Sequence, residues 1–411
     1  MKHLPYRLLL ILFFPLVALY TLRRSFRDGD RRYFWQRFGC QQPQMNQPIW
    51  LHCASVGEVN AALPLLEALL KQHPNAAFLL TTNTPTGQQT AANQLGERVT
   101  LSYLPLDYPL LMRHFLNVIH PRCALIMETE IWPNLYHRCQ QQQIPLTIIN
   151  ARLSQRTLNS PRIFRWAYQQ ALKNISVLAK SSQDGENFQK LGAHPEQIQI
   201  IGNLKFAPQA LEHTTETPLQ RPYLLAISTH DDEELRLAKL WQQIKHHHPQ
   251  HLLVIAPRHP ERRQQILHTL APLKLQIASR SQSETVQQHT DLYLADTLGE
   301  LNFFMTHAEL VFIGGSLIAH GGQNLLEPAR LGKPIICGAH MFNFQAEVDL
   351  FLNHNALLQI SNENELSETV QMLLNQPKKR AHLAHNAQAL MQQESTVVAR
   401  YLKALKSTCS L

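Results

Sequence analysis

Leu51-His-Cys-Ala-Ser55-Val-Gly57-Glu58 is the stretch on which the fold and the chemistry of this chain turn. The apolar run Pro48-Ile-Trp-Leu51 reads as a buried strand. The run breaks at Ser55-Val-Gly57, and an amphipathic pattern from Val59 to Leu70 reads as a helix. Glu58 therefore stands at a strand-to-helix turn. In an open α/β sheet such turns line the ligand crevice beyond the carboxyl ends of the strands, where a carboxylate can serve as a general base. The competing explanation is a first-turn acid that does no more than satisfy the helix macrodipole. Taken alone, the stretch favours that plainer explanation, so the rest of the chain has to decide.

The same alternation runs outward from this point. Strands are predicted at Ile49–Ala54, Ala77–Thr82, Val99–Leu104, Ala124–Met127, Leu146–Asn150, Val177–Ala179 and Ile198–Ile201, with helical stretches between them. Pro208 to Pro222 is polar and aperiodic, which marks a boundary. Beyond it strands are predicted at Tyr223–Ser228, Leu252–Ala256, Leu273–Ala278, Asp291–Leu294, Leu310–Ile313, Pro334–Cys337 and Ala356–Gln359. Strands alternating with helices imply βαβ units and parallel sheets, and right-handed crossovers put the strand ends of each sheet on one side. The expected organisation is an apolar segment with a basic flank (1–32), a Rossmann-like domain (33–207), a linker (208–222), a second Rossmann-like domain (223–385) and a C-terminal helix (386–411) free to pack back on the first domain. Helix is expected from about Pro377 to Leu405.

Composition narrows the function classes. The 411 residues are 44% hydrophobic and 17% charged, as in a folded globular protein, and the formal net charge of +8 suits an acidic partner. No RNA-binding signature, zinc-finger spacing or basic repeat is present, which weighs against nucleic acid. The six cysteines are scattered without a CxxC and several sit in apolar runs, as expected of buried thiols in a reducing compartment. There is no HExxH and no convincing ligand cluster, and His246-His247-His248 reads as a solvated helix end. Leu8 to Leu22 is almost wholly apolar, interrupted only by Pro15, but short for a bilayer span. It ends in Arg23-Arg24 with Arg27, Arg31 and Arg32 following, a flank that favours the cytoplasmic side and anionic headgroups. A membrane anchor, a single crossing and a helix buried in the soluble body all remain open. An anchor dipping into one leaflet is preferred, with Tyr33-Phe34-Trp35 and Phe38 as interfacial aromatics.

The predicted strand ends carry the chemistry. In the first domain they hold Ser55, Gly57 and Glu58; Thr81-Thr82-Asn83-Thr84-Pro85-Thr86-Gly87; Glu128-Thr129-Glu130; Asn150-Ala151-Arg152; and Gly202-Asn203-Leu204-Lys205-Phe206. Glu128 and Glu130 share a face if that piece is extended and do not if it has turned. In the second domain the ends hold Pro257-Arg258-His259-Pro260-Glu261-Arg262-Arg263, Thr297-Leu298-Gly299-Glu300-Leu301, Gly314-Gly315-Ser316 and His320-Gly321-Gly322-Gln323-Asn324-Leu325-Leu326-Glu327. Arg258 is placed to meet a phosphate or carboxylate. The amides of a helix starting at Thr297 suit an anion. Gly321 and Gly322 allow a ligand close to the helix start, and Asn324 and Glu327 share a helix face. A nucleotide-type site is expected here, though neither a Walker A loop nor a GxGxxG stands in the usual place.

Taken together, Ala54-Ser55-Val56-Gly57-Glu58, Met127-Glu128-Thr129-Glu130-Ile131-Trp132-Pro133-Asn134, Asn150-Ala151-Arg152-Leu153-Ser154, Gly202-Asn203-Leu204-Lys205-Phe206, Pro257-Arg258-His259-Pro260-Glu261-Arg262 and Gly321-Gly322-Gln323-Asn324-Leu325-Leu326-Glu327-Pro328 resemble the 3-deoxy-D-manno-octulosonic acid (Kdo) transferases of lipopolysaccharide synthesis. The resemblance implies a GT-B fold with the acceptor on the first domain and the donor on the second. It implies an inner-membrane enzyme facing the cytoplasm that inverts the anomeric centre, with CMP-Kdo as donor, lipid IV(A) as acceptor, and neither metal nor cofactor. It further implies Glu58 as general base, Glu128 and Lys205 as transition-state stabilisers, and Pro257, Arg258, Leu298, Gly299, Glu300, Asn324, Leu325, Leu326 and Glu327 as CMP contacts. A UDP-sugar enzyme of the same fold and a membrane-tethered nucleotide-binding scaffold are the alternatives.

Overall fold

The computed structural model describes residues 4–208, 219–409 and 411. Most of the expected linker, residues 209–218, lies outside the described residues. The chain divides into one unit of Met1–Pro208 with Ser395–Leu411 and a second of Gln209–Glu394.

The first unit is built on a seven-stranded sheet: β1 (Ile49–Cys53), β2 (Phe78–Thr82), β3 (Thr100–Tyr103), β4 (Cys123–Met127), β5 (Leu146–Ala151), β6 (Ser176–Ala179) and β7 (Ile198–Ile200). The order is β3-β2-β1-β4-β5-β6-β7, every pair parallel. The strand sequence reverses direction between β1 and β4, so the crevice at the carboxyl ends opens beside these two strands. The period of two in β1 fixes both faces. Ile49, Leu51 and Cys53 enter one core cluster with Val59, Leu65 and Leu69, whereas Trp50 enters the other with Phe115 and Leu116. Each of these large side chains contributes on the order of 2 kcal/mol by leaving water. The helix after β1 runs Val56–Gln72, and Ser55 is its N-cap, its hydroxyl accepting the Glu58 amide at 3.4 Å.

The second unit repeats the plan with β8 (Tyr223–Thr229), β9 (Leu252–Pro257), β10 (Ile277–Ser279), β11 (Leu292–Leu294), β12 (Leu310–Ile313), β13 (Ile335–Cys337) and β14 (Leu358–Gln359), in the order β10-β11-β9-β8-β12-β13-β14 and again parallel. Its reversal lies between β8 and β12. The strand expected over Leu273–Ala278 is shorter, because a 3-10 turn at Ala271–Leu273 and a left-handed Lys274 delay it to Ile277. His248, expected in solvent, is buried against the ring of His251, with centroids 5.6 Å apart.

One expectation about the ends of the chain changes. The helix expected over Pro377 to Leu405 is two helices, Pro377–Glu394 in the second unit and Val397–Cys409 in the first. A boundary at residue 386 would cut the former. The break at Ser395-Thr396 lets Val397, Tyr401, Leu405 and Cys409, spaced by four, enter the first unit's core. At the other end the apolar segment is a helix from Leu4 to Arg27 docked on the first unit. The Tyr6 hydroxyl donates to buried Asp107 (2.9 Å), Arg7 donates to Asn134 (2.9 Å), the Tyr108 hydroxyl donates to the Leu10 carbonyl (2.8 Å), and Phe14 packs edge-on against Tyr108 and Phe38. Its other face is exposed and apolar, with Ile11, Leu12, Leu16 and Phe26 each more than 60% accessible. Of the aromatics expected at an interface, Tyr33 is core, edge-on to Tyr103, and Trp35 is exposed.

Candidate active site

In the first unit the reversal point gathers carboxylates. Glu58, at the third helical position after β1, is half-buried and accepts the Ala54 amide at 2.8 Å. Glu128 follows β4 directly, with its own amide donating to the Ile149 carbonyl at 3.0 Å. Its φ of +53° turns the chain out of the strand, so the extended Glu128–Glu130 face does not form. Glu128 and Glu130 nevertheless both act electrostatically on Glu58. Burial first, and these two like charges next, push the Glu58 carboxyl up to about 8, with the Ala54 amide pulling against them. Burial first, then the Glu58 and Glu128 charges, push the Cys53 thiol up.

A third strand end is tied in by Asn150 and Asn203, which the strand-end motifs contain, and by Tyr401, which they do not. Lys205 lies on a 3-10 turn, Leu204–Phe206, that packs on the helix Glu58 begins. The turn is held by Asn150, whose side-chain carbonyl accepts the Leu204 amide (3.0 Å), and by Asn203, which accepts the Lys205 amide (3.0 Å). Tyr401 fastens it to the C-terminal helix, its hydroxyl donating to the Gly202 carbonyl (3.0 Å) and accepting from the Asn150 amide (3.0 Å). Arg37 belongs to no motif that the sequence singles out. Its guanidinium donates to Asn83 (2.7 Å) and to the Leu104 carbonyl (2.5 Å), while Asn83 donates to Glu130 (3.2 Å). Burial raises the Glu130 carboxyl and the Arg37 charge opposes that rise.

In the second unit Pro257, Arg258, Leu298, Gly299 and Glu300 line one cavity of about 210 Å³, together with Ser228 and Phe304. Arg262 pairs with Glu234 and Asp231, and Arg263 with Asp296, whereas Arg258 is exposed and has no ion pair among the described residues. The helix expected from Thr297 begins only at Leu301. Glu300 is held by Arg280 (2.5 Å) and by the Thr297 hydroxyl, so its carboxylate is already engaged. Asn324, Leu325, Leu326 and Glu327 do not line this cavity. Asn324 donates to Glu327 at 2.9 Å, and Leu325 and Leu326 are core, leaving only their backbone for a ligand.

The glycine pairs also have a different use from the one expected. The amides of Gly315, Ser316 and Leu317 all donate to the buried carboxylate of Glu233 (2.6, 3.0 and 3.0 Å), as does the His230 amide (3.1 Å). This anion nest is filled from within the chain. A Cβ on Gly321 would lie 2.2 Å from Asn343 and one on Gly322 2.2 Å from Met341, so these glycines make room for a neighbouring loop of this chain.

The family profile described as 3-Deoxy-D-manno-octulosonic-acid transferase (kdotransferase) matches residues 32–208. The 3-deoxy-D-manno-octulosonic acid transferase of Haemophilus influenzae is 33% identical over 408 residues, covering 97% of this chain and 95% of its own. That of Bordetella pertussis is 31% identical over 417 residues, covering 95% and 96%. Among solved structures, a glycosyltransferase from Rickettsia africae superposes with a TM-score of 0.62 at 12% identity, over 88% of this chain and 99% of that one. That likeness shows the fold alone, the paired Rossmann-like units of a GT-B glycosyltransferase. With near-full-length identity above 30%, the chain belongs to the family of Kdo transferases, glycosyltransferases of lipopolysaccharide biosynthesis.

Proposed function

We propose that this protein moves Kdo from CMP-Kdo to lipid IV(A) with inversion, on the cytoplasmic side of the inner membrane. An acceptor hydroxyl oxygen attacks the anomeric carbon from the face opposite the phosphate. The C–O bond to phosphate breaks, CMP leaves with the electron pair, and the hydroxyl proton passes to the Glu58 carboxylate. Glu128 and Lys205 stabilise the charge that develops, Arg258 meets the CMP phosphate, and the backbone at Pro257, Leu298 to Glu300 and Asn324 to Leu326, with the Glu327 carboxylate, holds the nucleoside. Charge on the leaving group is met by a guanidinium and backbone amides, so the mechanism invokes no metal.

One observation carries the reading: a half-buried carboxyl, Glu58, stands at the sheet reversal with two further carboxylates acting on it and its pKa raised to about 8. A base poised near the working pH transfers protons most effectively, and a helix-start acid has no need of such surroundings. The docked N-terminal helix supports the membrane side of the proposal. Its length is held against the first unit, its apolar face is open, and Arg23, Arg31 and Arg32 are exposed at its end, as in a helix lying in the interface plane. The test is purified protein with CMP-Kdo and lipid IV(A). Glu58→Ala is expected to lose product formation while CMP still binds, and normal turnover by that variant would refute the assignment.

A further inference from the structure

The second sheet has its own reversal point, between β8 and β12, and the side chain that follows β8 there is His230. The fold goes to some length to place it. Ser228 takes a φ of +52°, and a Cβ on Gly314 would lie 2.5 Å from the Ser228 carbonyl oxygen, so only glycine lets the end of β12 come so close. The His230 amide is fixed by Glu233, and its ring lies over Gly315, where an added Cβ would sit 3.3 Å from the ring. The His320 ring stacks on it with centroids 3.7 Å apart at 33°, and the His259 ring lies 6.2 Å away. The Gln323 amide donates to His230 Nε2 at 2.9 Å, which leaves Nδ1 as the donor.

The charges facing this ring are one-sided. His320, His259, Arg262 and Arg258 all act on His230 with positive sign, and together with burial, the larger cause, they pull it down to about 4. The nearby carboxylates are committed elsewhere: Glu233 to four backbone amides, Glu234 and Asp231 to Arg262, and Glu261 to His259 at 3.2 Å. No three His, Cys, Asp or Glu among the described residues could hold a metal ion. Stacked imidazoles beside an unpaired guanidinium lack one thing, an anion.

We propose that His230 and His320, with Arg258, form an oxyanion subsite for the donor at the β8–β12 reversal. This rests on the nucleotide reading above. The donor it implies carries two such groups, the CMP phosphate and the sugar carboxylate, with the same recognition chemistry. An oxyanion seated here would draw a proton onto the imidazole pair, so binding near neutral pH takes up protons.

The experiment uses the full-length protein in detergent. Affinities for CMP and cytidine are measured by titration calorimetry in buffers of differing ionisation enthalpy, together with the donor KM. His320 is exposed, so His320→Asn should fold; Gln323→Leu, which removes the bond to His230 Nε2, is the second variant. Weakening of CMP by about tenfold with cytidine unchanged, and loss of proton uptake, places the phosphate in the subsite. Unchanged CMP affinity with a donor KM raised about tenfold places the carboxylate there. Equal effects on CMP and cytidine, or no effect of either variant on any ligand, overturn the subsite while the nucleotide reading stands. Failure of the wild-type protein to bind CMP overturns both.

Discussion

Replacing Glu58 with Gln should make the protein more stable and, in the same stroke, inactive. Burial, with the Glu128 and Glu130 charges after it, shifts this carboxyl from 4.5 to about 8. The folded state then holds a proton that the unfolded chain has released. Below pH 4.5 both states are protonated and Glu58 costs nothing. Between 4.5 and 8 the cost of keeping or ionising it grows, and above 8 it is constant, so stability falls as pH rises. The full shift corresponds to about 4 kcal/mol at pH 8, which solvent at a half-buried carboxyl trims to about 2 kcal/mol. Glutamine keeps a carbonyl oxygen for the Ala54 amide and cannot ionise. For a unit of this size the gain is about 4–8 °C in melting temperature at about pH 8.5, shrinking towards zero at about pH 5. Four of the five tryptophans, Trp35, Trp50, Trp132 and Trp166, lie in the first unit, so fluorescence follows its transition. Wild-type transfer should meanwhile rise with pH up to about 8 as Glu58 becomes the free base. If the melting advantage of Glu58→Gln is flat from about pH 5 to about 8.5, or the variant is less stable than wild type at the alkaline end, the electrostatic account of this site is refuted.

Three other perturbations follow from the geometry. Glu233→Ala orphans four backbone amides and should destabilise the second unit by about 3 kcal/mol or more in urea unfolding followed through hydrogen exchange of that unit's amides; a loss below about 1 kcal/mol would contradict the filled nest. Tyr401→Phe should cost the first unit about 1–2 kcal/mol and slow transfer without changing CMP affinity, since the hydroxyl braces the Lys205 turn; an unaltered rate would show that the brace does not matter to the chemistry. Removing residues 1–27 should abolish sedimentation with membrane vesicles, and a truncated protein that still pellets would show that another surface makes the contact.

The parts legible in the sequence are those where one physical cause dominates. Parallel strands covered on both faces are continuous apolar runs, so Leu310–Ile313 or Cys123–Met127 declares itself without any partner being known. Glu58 is visible for a similar reason: a strand, a break and a helix fix where the residue stands, whatever the rest of the chain does. What stays hidden depends on partners far away in sequence. Tyr401 meets Gly202 across 199 residues and Arg37 meets Asn83 across 46, and no local pattern records either contact. The glycine pairs are the instructive case. A glycine reports that a backbone needs room, and at a strand end the natural candidate for that room is a ligand. Here Glu233 fills the nest behind Gly314 and Gly315, and Met341 and Asn343 take the space beside Gly321 and Gly322. The Gly314-Gly315 pair still serves the site, but indirectly. Gly314 admits the end of β12 beside Ser228, and the nest carboxylate takes the His230 amide. The room the glycines leave therefore holds an imidazole in place at the crevice. A substitution at Gly314 should then weaken the proposed anion subsite by moving His230.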